Sequence, residues 1–258
     1  MTESRPTIDT ILKRKSIRSF RPDPVPEEQR RRILEAMLRA PSAGNQMLYS
    51  VIEVEDQHKK EELARSCDNQ PFISRSPWVL IFLADMQRML DFFELSGVHS
   101  LVESGAAESV KAREADLLLA SCDALIAAQT AVLAAESLAL GSCYIGDVME
   151  NYEFHRDLLQ LPDYCFPIAM LCLGYPTEQQ QRRPPTERIA ADKIIFTDRY
   201  RRLTPDELRH LYDHNIPRRP RFVDGAKNIG QDTYLRKFSS PFMMEMRRSV
   251  KAMLAHWS

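Results

Sequence analysis

Glycine is scarce in this chain: 8 residues in 258, and they are scattered. That excludes the compact cradles GxGxxG and GxxxxGK[ST], which hold phosphates on backbone amides, so any bound phosphate must be held by side chains. Cysteine is sparse as well. The five, at 67, 122, 143, 165 and 172, are odd in number and include no CxxC pair. Neither a zinc ribbon nor a thioredoxin-type redox motif is written there, and reduced thiols are the simplest expectation. Long apolar runs are missing too. The longest charge-free stretch, Tyr164 to Thr177, contains two prolines and falls short of the ~20 residues that a spanning helix requires. The opening MTESRPTIDTILKRKS lacks the apolar core of a secretory signal. Together these absences lead to the expectation of a cytoplasmic protein with no membrane partner.

An excess of either charge is likewise absent. Lys plus Arg number 35 against 36 Asp plus Glu, a net charge of −1, which argues against nucleic acid as a partner. The average hides an asymmetry, because residues 178–258 hold 17 basic and 10 acidic side chains, leaving 18 and 26 to the first 177. The tail therefore favours anions, or the acidic front half of a second copy.

What is present is an ordinary globular composition, 44% hydrophobic and 28% charged. Ile8, Ile11 and Leu12 share one face of a helix over Thr7 to Arg14, and Ile33, Leu34, Met37 and Leu38 share one over Glu27 to Arg39. The second helix follows Pro24 and Pro26 and has Glu27 and Glu28 in its first turn. Strands are predicted at Tyr49 to Glu55, Trp78 to Ala84 and Phe166 to Gly174, the last two apolar on both faces and so buried on both. Glu114 to Leu140 reads as one long helix of about 40 Å, without charge between Asp123 and Glu136. A helix apolar all round must be covered on all sides, either by its own core or by a second subunit. After Gly174 the pattern loosens, then yields a helix near Thr204 to His214 and a final amphipathic one from Pro241 to Trp257. So long an irregular excursion suits an arm lying across a partner.

Four segments can carry chemistry. RKSIRSF, Arg14 to Phe20, places Arg14, Lys15 and Arg18 around Ser16 at a helix end. Such a cluster serves either as a solvated, dipole-complementing terminus or as a phosphate site of paired guanidinium forks and a hydroxyl. APSAGNQ, Ala40 to Gln46, is either a plain connection or a small-residue turn over which a flat ligand can lie, with Ser42, Asn45 and Gln46 as hydrogen-bonding groups. GSCYIGD, Gly141 to Asp147, closes the long helix and presents backbone amides. Gly174, Tyr175 and Pro176 precede Arg182 and Arg183 at the end of a buried strand.

Joint occurrence in order makes these segments specific, and together the chain resembles the nitroreductase family of FMN-dependent NAD(P)H oxidoreductases, in its oxygen-insensitive nitroreductase and NADPH:flavin oxidoreductase branch. RKSIRSF resembles that family's R/H-R-S-I-R-x-F, VPEEQRR its P-x-x-x-Q-R helix, and APSAGNQ its A-P-S-S-x-N. CDNQPF, Cys67 to Phe72, resembles C-x-x-Q-P-W, CYIGD resembles Y-I-G-G, and FPIAMLCLGYP resembles F-P-x-x-x-L-C-L-G-Y-P. The resemblance implies an α+β fold, a central mixed sheet flanked by helices with a long core helix and a C-terminal arm. It implies a homodimer with two FMN sites at the interface, in which residues 1–198 form the FMN-binding domain and 199–258 an extension wrapping the partner. Arg14, Lys15, Ser16 and Arg18 would hold the phosphate and ribityl end, joined by Arg183. Ser42, with Asn45 nearby, would arrive from the other subunit. Gln70 would meet the pyrimidine edge of the ring, and Tyr144, Ile145, Gly146 and Asp147 would run along it, the last two amides facing N5 and O4.

The implied activity is ping-pong two-electron reduction of a small-molecule acceptor (nitroaromatic, quinone or free flavin), with NADPH or NADH as donor and no catalytic side chain or metal. Alternatives are a flavin reductase, a specialised FMN dehydrogenase of the same fold, or a flavin-binding redox sensor with little turnover. The chain departs from the branch at Asp147, where glycine is usual, at Gln181, Arg182 and Arg183, where K-P-R is common, and at Phe72 for tryptophan. A carboxylate at position 147 disfavours anionic acceptors unless it points away. Of the remaining signals, His210 and His214 have an i, i+4 spacing but no HExxH glutamate or third ligand, and read as an exposed helix face. Arg218, Arg219 and Arg221 are expected either to hold the 2′-phosphate of NADPH or to lie in a solvated loop or dimer contact.

Overall fold

A computed structural model describes residues 7–108, 110–215 and 221–257. They form helices α1 (Thr7–Lys13), α2 (Glu27–Met37), α3 (Gln57–Ser66), α4 (Gln87–Leu95), α5 (Val98–Glu103), α6 (Glu114–Ser137), α7 (Tyr152–Leu159), α8 (Glu178–Arg182), α9 (Pro205–Asn215), α10 (Ile229–Thr233) and α11 (Pro241–Leu254). Strands β1 (Tyr49–Glu53), β2 (Trp78–Asp85), β3 (Gly141–Ile145) and β4 (Cys165–Gly174) make one sheet in the order β1-β2-β4-β3. The α+β architecture with a long helix agrees with expectation. The mixed sheet does not: all three strand pairings are antiparallel, and parallel pairing occurs at the isolated bridge between Ser16 and Ser142.

Alternation along the strands divides the core into two layers. Trp78, Leu80 and Phe82 of β2, with Leu171 and Leu173 of β4, face α2 and α6. Val79, Ile81 and Leu83, with Met170 and Cys172, face the other way, onto Leu63 of α3 and Ile73. Alanine is what lets α6 lie close on the sheet: Ala120, Ala124, Ala127, Ala128, Ala131 and Ala135 are fully buried. By length and composition α6 is apolar enough to cross a membrane, and here its alanine face lies in the core. Its other face stays uncovered, with Leu118, Leu119, Leu125 and Ile126 exposed.

The chain divides into two compact units, 1–183 with 245–258, and 184–244. In the first, the end of α11 is sealed into the core around Tyr152 and Phe166, with Met253 and Trp257 buried. In the second, Asp232 accepts from Val223 N at 2.9 Å and from Arg236 Nε at 2.8 Å, and Glu207 pairs with Lys193 and Arg201.

Candidate functional site

Strand β3 was expected only as a turn that closes the long helix, yet it organises the site. At its start the segment leaving α1 runs alongside it. Ile17 N donates to Ser142 O at 2.8 Å, and Ser16 and Ser142 form the parallel bridge. Gly141 permits this approach, since a Cβ there would stand 2.5 Å from Ile17 Cγ1 and 2.9 Å from Pro176 Cγ. Lys15 Nζ donates to the carbonyl of Gln181 at 2.7 Å and to that of Arg183, while the Arg183 guanidinium donates to Ser16 O. Burial pushes the Cys143 thiol up, against the opposing pull of Arg18, Arg14 and Arg183, whose guanidinium groups all reach its neighbourhood. The structure thus brings Arg14, Lys15, Ser16, Arg18 and Arg183 together across more than 160 residues of sequence. Among the described residues no ion pair joins any of these four cations to a carboxylate. Their charge is free for an anion, and guanidinium forks beside a hydroxyl match the oxygens of a phosphate.

At the other end β3 stops at Ile145, and Gly146 is exposed, with no atom nearer than 3.9 Å to the place a Cβ would take. A 3-10 turn, Asp147–Met149, follows. Gln70, in the turn after α3, donates from Nε2 to Cys67 O at 3.0 Å and to Asp147 Oδ2 at 2.9 Å. Gln70 and Asp147, at the end of the segment Tyr144 to Asp147, are therefore neighbours. Burial pushes the Tyr144 phenol up, and its hydroxyl donates to Gln129 Oε1 at 3.4 Å. Ser142 and Gly146 are separated by about 13 Å at ~3.3 Å per strand residue. The basic cluster and the Gln70–Asp147 pair thus lie at opposite ends of β3.

Two residues escaped sequence reasoning. Glu150 is 4% exposed, and its Oε1 has no partner among the described residues. Its carboxyl is pushed up to about 7, first by burial and then by Asp147, with Asp68 and Glu245 adding to the effect. The signal that could have found it is the density of acids around Asp147 in a nearly neutral chain. Asp123, on the buried face of α6, accepts from Ala43 N at 3.0 Å and Leu48 N at 3.1 Å and so staples the APSAGNQ loop to the core. A lone carboxylate heading a charge-free helical stretch was its signal. Within that loop Gly44, Asn45 and Met47 have φ of 56°, 55° and 53°, and Ser42 Oγ accepts from Met47 N at 3.1 Å. Among the described residues no hydrogen bond joins Ser42 or Asn45 to the basic cluster.

The cysteines are free thiols, four buried and Cys122 exposed. His210 is exposed on α9, whereas the side chain of His214 lies outside the described residues, as do Arg218 and Arg219. Arg221 is exposed, 3.9 Å from Asp224.

The nitroreductase family model matches residues 11–175. Over 201 residues the chain is 34% identical to the FMN reductase (NAD(P)H) of Bacillus subtilis, covering 78% of this chain and 76% of that one. It is 29% identical to the oxygen-insensitive NADPH nitroreductase of Salmonella typhimurium, covering 93% and 95%. Among solved structures, NfrA1 of B. megaterium superposes with a TM-score of 0.78 at 26% identity, covering 96% of this chain and 98% of that one. The fold and the family match define an oxidoreductase scaffold. The chain belongs to the nitroreductase family.

Proposed function

We propose that this protein is an FMN-dependent NAD(P)H oxidoreductase that reduces a small-molecule acceptor by two electrons, of the nitroaromatic, quinone or free-flavin class. The observation that carries this reading is the convergence at one end of β3 of a serine and four cations that no ion pair among the described residues joins to a carboxylate, with a hydrogen-bonding surface at the other end. Arg14, Lys15, Arg18 and Arg183 would hold the phosphate, with Ser16 donating a hydroxyl. Gln70 would orient the pyrimidine edge of the ring, and the amides after Ile145 would lie along it where Gly146 leaves room. When bound, FMN supplies the two-electron carrier that takes hydride from a nicotinamide and passes it to the acceptor. The chain's own part is to bind, orient and keep the ring face open to one substrate at a time. It needs no side-chain nucleophile, and the buried thiols offer none.

The reading extends to a cytoplasmic homodimer. Leu118, Leu119, Leu125 and Ile126 of α6, with Ile8, Ile11 and Leu12 of α1, form the apolar surface that a second copy would cover. Ser42 and Asn45 would then complete the partner's site. Of the extension from residue 199 onward, the part before α11 would embrace the second subunit, whereas Met253 and Trp257 are sealed in their own chain. The test is to record the visible spectrum of the purified protein and to follow flavin bleaching under anaerobic conditions with NADPH and with NADH. A yellow protein bleached at once by either nicotinamide and reoxidised by a quinone is expected. A colourless protein that ignores added FMN contradicts the reading, and slow or absent bleaching marks a sensor instead.

A further inference from the structure

Gln70 has no choice in how its amide faces. The Cys67 carbonyl at 3.0 Å and Asp147 Oδ2 at 2.9 Å are both acceptors, so both N–H groups are used inside the protein and Oε1 is what remains to offer. A site that presents an acceptor selects a ligand edge bearing an N–H. Asp147 is therefore a positioning residue, and Glu150 bears on it. Three residues further on, Glu150 donates its backbone N–H to Asp147 O at 3.0 Å, its side chain is buried and its Oε1 has no partner among the described residues; a buried carboxyl beside a second carboxyl is accommodated when it keeps its proton.

The groups that face Glu150 from the surrounding elements favour that proton. They are Asp147 from its own turn, Asp68 from the loop after α3, and Glu245 from α11. His155 of α7 packs on the same turn, its Nδ1 2.9 Å from Val148 O and its Nε2 2.7 Å from Ser66 Oγ, and burial pushes its imidazole down. The base on α11, Arg248, is held by Glu153 at 2.7 Å and Glu245 at 2.8 Å.

We propose that Glu150, Asp147 and Gln70 form a hydrogen-bond chain of fixed direction: the Glu150 hydroxyl donates to Asp147, Asp147 accepts from Gln70, and Gln70 presents its carbonyl oxygen to the N–H of a pyrimidine-type ring edge. Specificity for that edge is then set by one buried proton. The naming of the ring rests on the flavin reading above, whereas the carboxyl pair does not. When the pH rises through the titration of Glu150, near 7, the proton leaves, the two carboxylates repel, and the Gln70 amide is released to turn.

The test compares FMN with 3-methyl-FMN, whose ring N–H is replaced by a methyl group. Binding to the flavin-free protein is followed by flavin fluorescence from pH 6 to 9, and the protonated-carboxyl C=O band is followed by infrared spectroscopy without flavin. At pH 6 the wild type is expected to prefer FMN by ~10-fold or more, the worth of one well-placed hydrogen bond, and to lose much of that preference by pH 9. Glu150→Gln, whose amide N–H has no proton to release, should hold the preference across the range. Asp147→Asn should lose it at every pH, because its amide can turn either face to Gln70. The infrared band should be present at pH 6, absent at pH 9, and missing from Glu150→Gln. A preference that ignores pH in the wild type, or an absent band at pH 6 while FMN still binds, overturns the proposal alone. A band that titrates as stated in a protein that binds neither flavin overturns the ring assignment together with the flavin reading.

Discussion

The two ends of β3 differ in how they hold charge. At the Ser142 end, Arg14, Lys15 and Arg183 are half-buried and Arg18 is exposed, no ion pair among the described residues joins them to an acid, and backbone carbonyls hold Lys15 and Arg183 in place. At the Asp147 end, the half-buried Asp147 accepts from a single amide, that of Gln70, and the Glu150 carboxyl close by in the chain is buried. The first arrangement attracts an anion from a distance and tolerates small displacements of any one group. The second acts through directional hydrogen bonds whose meaning depends on where one proton sits. Substitutions at the basic end should therefore change affinity and its salt dependence, and those at the acidic end selectivity and pH dependence.

The largest expected effect is at the basic end. Arg18→Glu places a carboxylate against the phosphate and should weaken FMN binding by ~100-fold or more, since a charged hydrogen bond is lost and a repulsion gained; equilibrium titration of the flavin-free protein measures it. An effect below threefold would mean that the phosphate lies elsewhere. Asp123→Ala should come next. It leaves the amides of Ala43 and Leu48 without their acceptor, and each such loss costs ~1–3 kcal/mol, read as a lower midpoint in urea unfolding. Gly141→Ala should cost ~1–3 kcal/mol, as overpacking does, because Ile17 must move away from β3. It should also weaken FMN more than riboflavin, for the displaced segment is the one that carries Arg14 and Arg18.

A smaller effect separates the two ends by pH. The folded protein raises the Glu150 carboxyl from an ordinary 4.5 to about 7, so the native state binds the proton more tightly than the unfolded chain does. Its stabilising contribution is complete below about 4.5, falls as the pH rises toward 7, and is gone above. Glu150→Gln has no such loss. Urea midpoints at pH 5 and pH 8 should therefore shift in the variant's favour as pH rises, and a constant difference would contradict the assignment.

The contrast also explains what could be read in advance. The basic end was legible because its residues form a contiguous motif, RKSIRSF, and Arg183 follows a recognisable strand. The helices α2 and α6 and the strands β2 and β4 were legible through periodicity or through length and apolarity. Strand β3 was not: its five residues, GSCYI, are too short for a period and are flanked by glycine, and their strand character comes from pairing with β4. The same holds for the sheet's direction, since antiparallel pairing of β2 with β4 joins segments about 90 residues apart. Glu150 and Asp123 left only faint signals, a density of acids and a lone carboxylate, because their roles come from burial and, for Asp123, from the backbone amides it accepts from. Asp147 was visible as part of the GSCYIGD segment, but its partner was not, because Gln70 meets it across 77 residues.

The most direct test of the central claim, that one end of β3 holds a phosphate and the other a ring, is the ratio of FMN to riboflavin affinity in the wild type and in Arg183→Ala. The account predicts that wild type binds FMN ~100-fold or more tightly than riboflavin, that the gap narrows by ~10-fold in Arg183→Ala, and that riboflavin affinity itself changes little. Equal affinity for the two flavins in the wild type would contradict it.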